Sequence, residues 1–196
     1  MSSPPTVSTG VTRIGRPKAI ATLVVAFSAD PVIRWVYPHT DRYLVHFPEL
    51  IGRMGAPAFK AGTADGIGDD AGAALWVPPG QQTDSDGLVA LAQRSIDPER
   101  LDAVFALLAQ VEEHHPADPH WYLPFIGVDP RCQGQGHGSA LMRQGLSRCA
   151  RDGLPAYLEA SSARNRSLYE RHGFEVIAEI QVADSPPLWP MLRPAP

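Results

Sequence analysis

In residues 120–152, a strand pattern is followed directly by a glycine-rich turn and then by a helix pattern. Residues 120–128 are rich in aromatic and branched side chains and predict a buried strand. Residues 139–149 carry apolar side chains at helical spacing and predict a helix over residues 136–152. Gly134, Gly136 and Gly138 lie between the two patterns. A side-chain-free turn that leads into a helix exposes backbone N–H groups at the positive end of the helix dipole. The segment therefore predicts a binding site for a phosphorylated ligand.

The spacing of these glycines distinguishes three kinds of phosphate site. A P-loop needs a lysine and a hydroxyl residue at the helix start, whereas this chain has His137 between Gly136 and Gly138. Nucleoside triphosphate hydrolysis is therefore disfavoured. The dinucleotide fingerprint G-x-G-x-x-G/A is matched in part, and Glu159 suits a ribose-binding acid. That motif usually opens a repeated βαβ domain, and the chain shows no internal repeat.

The third interpretation rests on a resemblance to a known family. Residues 133–138, Q-G-Q-G-H-G, match the Q/R-x-x-G-x-G/A signature of the GNAT-type N-acetyltransferases. Asn165 and the run 168–174 resemble the second sequence block of that family. The stretch 121–176 is similar in order and spacing to the puromycin N-acetyltransferase-like subgroup, and residues 74–80 resemble its third strand and turn.

The resemblance implies a fold, a cofactor and a reaction. The implied fold is α/β (α+β): a central mixed, twisted sheet of about six or seven strands, flanked by helices and splayed between the fourth and fifth strands. The implied reaction transfers the acetyl group of acetyl-coenzyme A (acetyl-CoA) to a primary amine of a small molecule. In the family, the strand before the turn pairs with the pantetheine arm, a role that falls on Phe125, Ile126, Gly127 and Val128. The turn N–H groups hold the pyrophosphate, a role that falls on Gln133, Gly134, Gln135, Gly136, His137, Gly138 and Ser139.

The resemblance also supplies catalytic candidates. Tyr169 matches the tyrosine that protonates or hydrogen-bonds the leaving sulfur. Asn165 matches the residue that hydrogen-bonds the cofactor arm, and an N-cap is its alternative role. Glu159 lies on the strand opposite the thioester, where burial raises the pKa of a carboxyl. It acts as the general base, binds a cationic amine, or stabilises the sheet; the resemblance also allows a chain of water molecules to remove the proton. Neither Cys132 nor Cys149 is placed as an acetyl-enzyme nucleophile, so we expect direct transfer in a ternary complex.

Two other functions remain open at this stage. The first is a non-catalytic CoA-binding sensor or partner module, and the second is an NAD(P)-binding oxidoreductase.

Composition limits the partners that the protein is expected to bind. With 17 basic and 21 acidic residues the net charge is −4, and there is no basic block, so neither nucleic acid nor an anionic membrane is an expected partner. Two cysteines make no disulfide framework, which favours the cytoplasm. We expect a monomer or a homodimer.

The N-terminal region has two interpretations. Residues 1–10 are rich in Ser, Pro and Thr and predict a disordered tail before a single domain over residues 11–196. Residues 13–29 have the outline of a signal peptide. However, Ile20, Leu23 and Phe27 recur at helical spacing, which favours an amphipathic first helix over residues 17–28.

The remaining periodicities predict further elements. Strands are expected at residues 11–14, 58–61, 73–77, 156–160, 174–182 and 188–192, with a hairpin at 64–70. Further helices are expected at 41–54, 84–94, 98–114 and 163–172, and a loop at 30–40.

Two clusters of side chains suggest further roles. Residues 112–115, with Asp118 and His120, resemble a metal site in composition. Prolines interrupt the helical spacing there, so we expect a solvated helix end and no metal. Four aromatic residues are candidates for a wall around an acceptor, although Trp76 is expected in the core: Trp35, Tyr37, Trp76 and Trp121.

Overall fold

The structure is a computed structural model that describes residues 10–81 and 83–196. The predicted tail therefore lies outside the described residues, except for Gly10. Seven strands form one open sheet in the order β1-β2-β3-β4-β5-β7-β6. Only β4 and β5 run parallel, so the sheet is mixed. The strands are β1 Val11–Arg13, β2 Ala64–Ile67, β3 Gly72–Val77, β4 Trp121–Val128, β5 Ala156–Ala160, β6 Glu175–Val176 and β7 Trp189–Arg193.

Helices cover both faces of this sheet. They are α1 Arg16–Ala26, α2 Pro31–Val36, α3 Thr40–Met54, α4 Ala56–Ala61, α5 Ser85–Ser95, α6 Pro98–His114, α7 His137–Asp152 and α8 Ala163–Glu170. Side chains from α1 to α6 form one hydrophobic core with Leu75 and Phe125 of the sheet. Side chains from α7 and α8 form a second core on the opposite face, around Trp76 and Leu123. The predicted core position of Trp76 is confirmed, because the residue is fully buried.

The sheet opens between β4 and β5, as predicted. These strands pair only at Trp121 with Ala156 and at Tyr122 with Tyr157. Pro124 follows, and a proline has no N–H to donate to a neighbouring strand. The register of β3 against β4 also shifts at this point, which turns Phe125 towards the opposite core from Leu123. Residues 125–128 therefore pair with β3 alone and leave the other strand edge open.

Three of the predicted local structures differ from those observed. The strand expected over residues 174–182 is limited to β6, with an isolated bridge between Ile180 and Leu188. Residues 58–61 belong to helix α4 and not to a strand, because Pro57 occupies the first helical turn and Gly62 ends the helix at φ 69°. A short apolar run is too brief to show the periodicity that distinguishes a helix from a strand. The predicted loop over residues 30–40 contains α2, in which the Asp30 carboxylate accepts hydrogen bonds from the N–H groups of Val32 and Ile33.

The N-terminal apolar segment forms helix α1, as the helical spacing predicted. Ala19 and Leu23 of α1 are fully buried against the sheet. The end of α1 lies directly over β4, since a Cβ on Gly127 would come 2.6 Å from the Cβ of Ala26. No helix in the described part of the chain is long and apolar enough to cross a membrane. Glycine at position 127 thus brings α1 close to the open edge of β4.

Candidate active site

A cleft lies where β4 and β5 separate. Its volume is about 340 Å³, and β4, the glycine turn and α8 line it. The cleft brings together most of the predicted cofactor residues, namely Ile126, Gly127, Val128, Gln133, Gly134, Gly136, His137, Gly138, Ser139, Asn165 and Tyr169. Phe125 lines the neighbouring cavity instead, and Gln135 lines neither.

The glycine turn has the backbone geometry of an anion site. Gly134 and Gly136 have φ angles of 77° and 83°, which L-residues rarely adopt. A Cβ at either position would meet no atom within 4 Å, so the requirement for glycine is conformational. The first backbone bond of α7 runs from the N–H of Ala140 to the carbonyl of Gly136. The preceding N–H groups of α7 therefore have no helical partner four residues back, and their residues, His137, Gly138 and Ser139, line the cleft.

Two arginines add positive charge to this cleft. Arg164 and Arg171 line it, and neither forms a salt bridge with a described acidic group. They were not among the predicted site residues. Their spacing of seven residues around α8 was the available signal, because residues seven apart share one helix face. Phosphate groups in the cleft would therefore meet both backbone N–H groups and guanidinium groups.

Tyr169 and Asn165 project from α8 into the centre of the site. Both line the cleft and also a second cavity. Tyr169 is 5% exposed, and burial raises the pKa of its phenol, helped by the nearby negative charges of Asp30 and Glu159. The phenol is therefore protonated at neutral pH. The Ser162 side chain caps α8 by accepting a hydrogen bond from the Asn165 backbone N–H (3.2 Å), so the N-cap role considered for Asn165 belongs to Ser162.

Glu159 of β5 is a buried carboxyl on the second cavity. Its Oε2 accepts a hydrogen bond from the Tyr122 hydroxyl at 3.0 Å, while its Oε1 has no hydrogen-bond partner among the described residues. Burial raises the pKa of Glu159 to about 7, against the opposing effect of the Tyr122 hydrogen bond. Such a carboxyl exchanges a proton readily near neutral pH.

The second cavity has a volume of about 280 Å³ and meets the cleft at Phe27, Asp30, Ile126, Asn165 and Tyr169. Side chains of α2, α3, α5 and α6 make most of its wall apolar. Asp30 and Glu159 are the acidic residues that line it. Tyr37 is the one member of the predicted aromatic wall found there, and the other three aromatic residues do not line either cavity.

Sequence analysis missed Asp30 and His115 as site residues. Asp30 is buried at the junction of the two cavities. Its carboxylate also accepts a short hydrogen bond from the Ser161 hydroxyl, and burial raises its pKa. His115 is half-buried against Tyr122, so the predicted solvated helix end is wrong at this residue. No group of three potential metal ligands occurs among the residues that the structure describes.

Comparison with known proteins agrees with this geometry. The fold and the cleft define an acetyltransferase architecture: a mixed sheet splayed beside a glycine turn that leads into a helix. The family model "Acetyltransferase (GNAT) family" matches residues 76–174, which span β4, the turn and α8. The chain belongs to the GNAT family of acetyltransferases.

The chain is similar to individual proteins in sequence and in fold. The chain is 33% identical to an uncharacterized N-acetyltransferase of Schizosaccharomyces pombe, over 80% of this chain and 69% of the relative. A Corynebacterium glutamicum structure described as histone acetyltransferase HPA2 and related acetyltransferase is 28% identical, with a TM-score of 0.67, covering 96% of this chain and 97% of that one. Arylalkylamine N-acetyltransferase 2 of Aedes aegypti shares the fold at 18% identity and a TM-score of 0.68, with 93% and 97% covered.

Proposed function

We propose that the protein transfers the acetyl group of acetyl-CoA to the primary amine of a small molecule with an apolar body, by direct attack in a ternary complex. One observation carries this proposal. A cleft lined by the glycine turn and two arginines meets an apolar cavity at Tyr169, and Glu159, whose pKa is about 7, lies on the cavity side. This junction supports a donor site in the cleft and an acceptor site in the cavity, on either side of one phenol.

The residues of the cleft fit acetyl-CoA. The open edge of residues 125–128 offers alternate N–H and C=O groups to an extended amide-containing arm. The turn N–H groups, Arg164 and Arg171 suit the phosphate groups. When bound, acetyl-CoA supplies a thioester carbon open to attack by an amine. An NAD(P) oxidoreductase lacks support, because the family match is to acetyltransferases.

Two protons must move in the reaction. An amine attacks only when it is neutral, and Glu159, with a pKa of about 7, is suited to take its proton. The departing sulfur needs a proton, which the protonated phenol of Tyr169 can donate. A thiol nucleophile is not required. Burial raises the pKa of Cys149 to about 11, which leaves it a neutral, buried side chain.

The acceptor cavity favours one class of amine. Its two carboxyl groups lie at or beside the junction, and the wall beyond is built from side chains such as Val36, Leu50 and Leu108. A second ammonium group, as in a polyamine, would lie among apolar side chains, where an unpaired charge is costly. An arylalkyl or alkyl monoamine buries its apolar body there and presents its amine to Glu159.

A ligand and substrate panel tests the proposal. Acetyl-CoA should raise Tm while NADPH leaves it unchanged, and 2-phenylethylamine should release free thiol with a kcat/KM at least about tenfold above that for spermidine. Stabilisation by acetyl-CoA without thiol release from any primary amine would instead favour the non-catalytic module. Stabilisation by NADPH alone would contradict the proposal.

A further inference from the structure

The end of α6 brings a histidine beside the buried carboxyl of Glu159. The His115 ring lies edge-on against Tyr122 and Tyr157, with ring centroids 5.0 and 4.7 Å apart. His115 Nδ1 is 4.0 Å from Glu159 Oε1, the carboxyl oxygen that has no hydrogen-bond partner among the described residues. A gap of this length is closed by one bridging water or by a small rotation of either side chain.

The other ring nitrogen of His115 contacts a second histidine. His115 Nε2 lies 3.1 Å from Nε2 of His120, which immediately precedes β4. His120 Nδ1 lies 2.7 Å from the Asp118 carbonyl oxygen. A carbonyl only accepts, so Nδ1 of His120 carries a proton, and Nε2 of its neutral ring is an acceptor. His115 then donates from Nε2, which leaves its Nδ1 unprotonated and facing Glu159.

We propose that His115 and His120 form a proton relay that carries the proton of the acceptor amine from Glu159 to solvent. This inference rests on the proposed function, because it concerns the proton that acetyl transfer releases. The amine N–H bond breaks as the carboxylate of Glu159 takes the proton. Glu159 passes it to Nδ1 of His115, and His115 releases its Nε2 proton to His120. The doubly protonated His120 then loses its Nδ1 proton to bulk water, so no net charge stays in the site. Exchange of the ring protons with water restores the starting tautomers of both histidines before the next turnover.

The surroundings of His115 keep this route usable at neutral pH. Burial lowers the pKa of His115, a proton on His120 would lower it further, and the negative charge of Glu112 opposes both effects. The ring is therefore neutral and able to accept. Tyr122 and Tyr157, packed against it from β4 and β5, have pKa values raised by burial and stay protonated. They contribute no competing charge, and Tyr122 holds Glu159 in place through its hydrogen bond.

A spectroscopic measurement tests the arrangement without depending on activity. Long-range ¹H–¹⁵N NMR of the free protein should show His115 protonated at Nε2 and His120 protonated at Nδ1 near pH 7.5. The reverse tautomer at either ring would remove the relay, even if the protein acetylates amines. The same tautomers with no transfer to any amine would instead contradict the proposed function.

A kinetic measurement tests the transfer. His115→Gln should lower kcat by about tenfold, with KM for acetyl-CoA unchanged, and added imidazole should restore much of the loss. His114→Gln is the matched control at the same helix end, because His114 Nδ1 bonds only the Gln110 carbonyl of its own helix (2.8 Å). Unchanged kcat in His115→Gln, or a loss that imidazole does not restore, would overturn the relay.

Discussion

Replacing the buried Glu159 by glutamine should stabilise the protein increasingly as pH rises. The pKa of this carboxyl is raised from 4.5 to about 7 in the folded state. Its protonated form is therefore favoured on folding. The favourable contribution is fully present below pH 4.5, and it is lost as pH rises through 7, because the unfolded chain ionises first. At 1.36 kcal/mol per pH unit, the penalty is about 1 kcal/mol at pH 5 and about 3 kcal/mol at pH 8.

Urea unfolding of the wild type and of Glu159→Gln at pH 5 and pH 8 measures this difference. The gap in the free energy of unfolding between the two proteins should change by about 2–3 kcal/mol in favour of the variant at the higher pH. The Tyr122 hydroxyl can also donate to the amide oxygen of a glutamine, and its preference for the ionised carboxylate is already contained in the pKa of about 7. A gap that stays constant to within about 0.5 kcal/mol would show that the pKa of Glu159 is ordinary.

Three further substitutions test other parts of the account. Tyr169→Phe should lower kcat by about a hundredfold in steady-state thiol release, with little change in KM for acetyl-CoA; an unchanged kcat would exclude the acid role. Gly136→Ala forces an L-residue to φ 83° and should weaken acetyl-CoA binding at least about tenfold in calorimetry; wild-type affinity would contradict the anion site. Arg148→Met strands the carboxylate of Asp65, which is 2% exposed, and should cost about 3 kcal/mol in urea unfolding; Arg151→Met is the exposed control on the same helix.

The cofactor side of the site was predictable because its signals are local. Positive φ at Gly134 and Gly136 can be anticipated from glycine at alternate positions before a helix. The helical spacing of α7 and α8 follows from apolar residues within a few turns. The splay of the sheet came from the family resemblance, and Pro124 supplies its physical reason only once the strand pairing is known.

The acceptor side could not be predicted, because it depends on contacts between distant residues. Asp30 lines both cavities and accepts a hydrogen bond from Ser161, which is 131 residues away in the sequence. His115 becomes a site residue only because α6 ends beside β5 and Glu159. Short helices also escaped detection: α2 and α4 have six residues each, too few for a periodic pattern. Local signals therefore identified the glycine turn, and tertiary contacts between distant residues formed the apolar cavity beside it.

The most direct test of the account is a single reaction mixture of the purified protein, acetyl-CoA and 2-phenylethylamine. Free thiol and N-acetylated amine should form together in equal amounts, as measured by a thiol reagent and by mass spectrometry, and no acetylated protein should accumulate. Thiol release without acetylated amine, or no turnover with any apolar primary amine while acetyl-CoA binds, would contradict the proposed transfer.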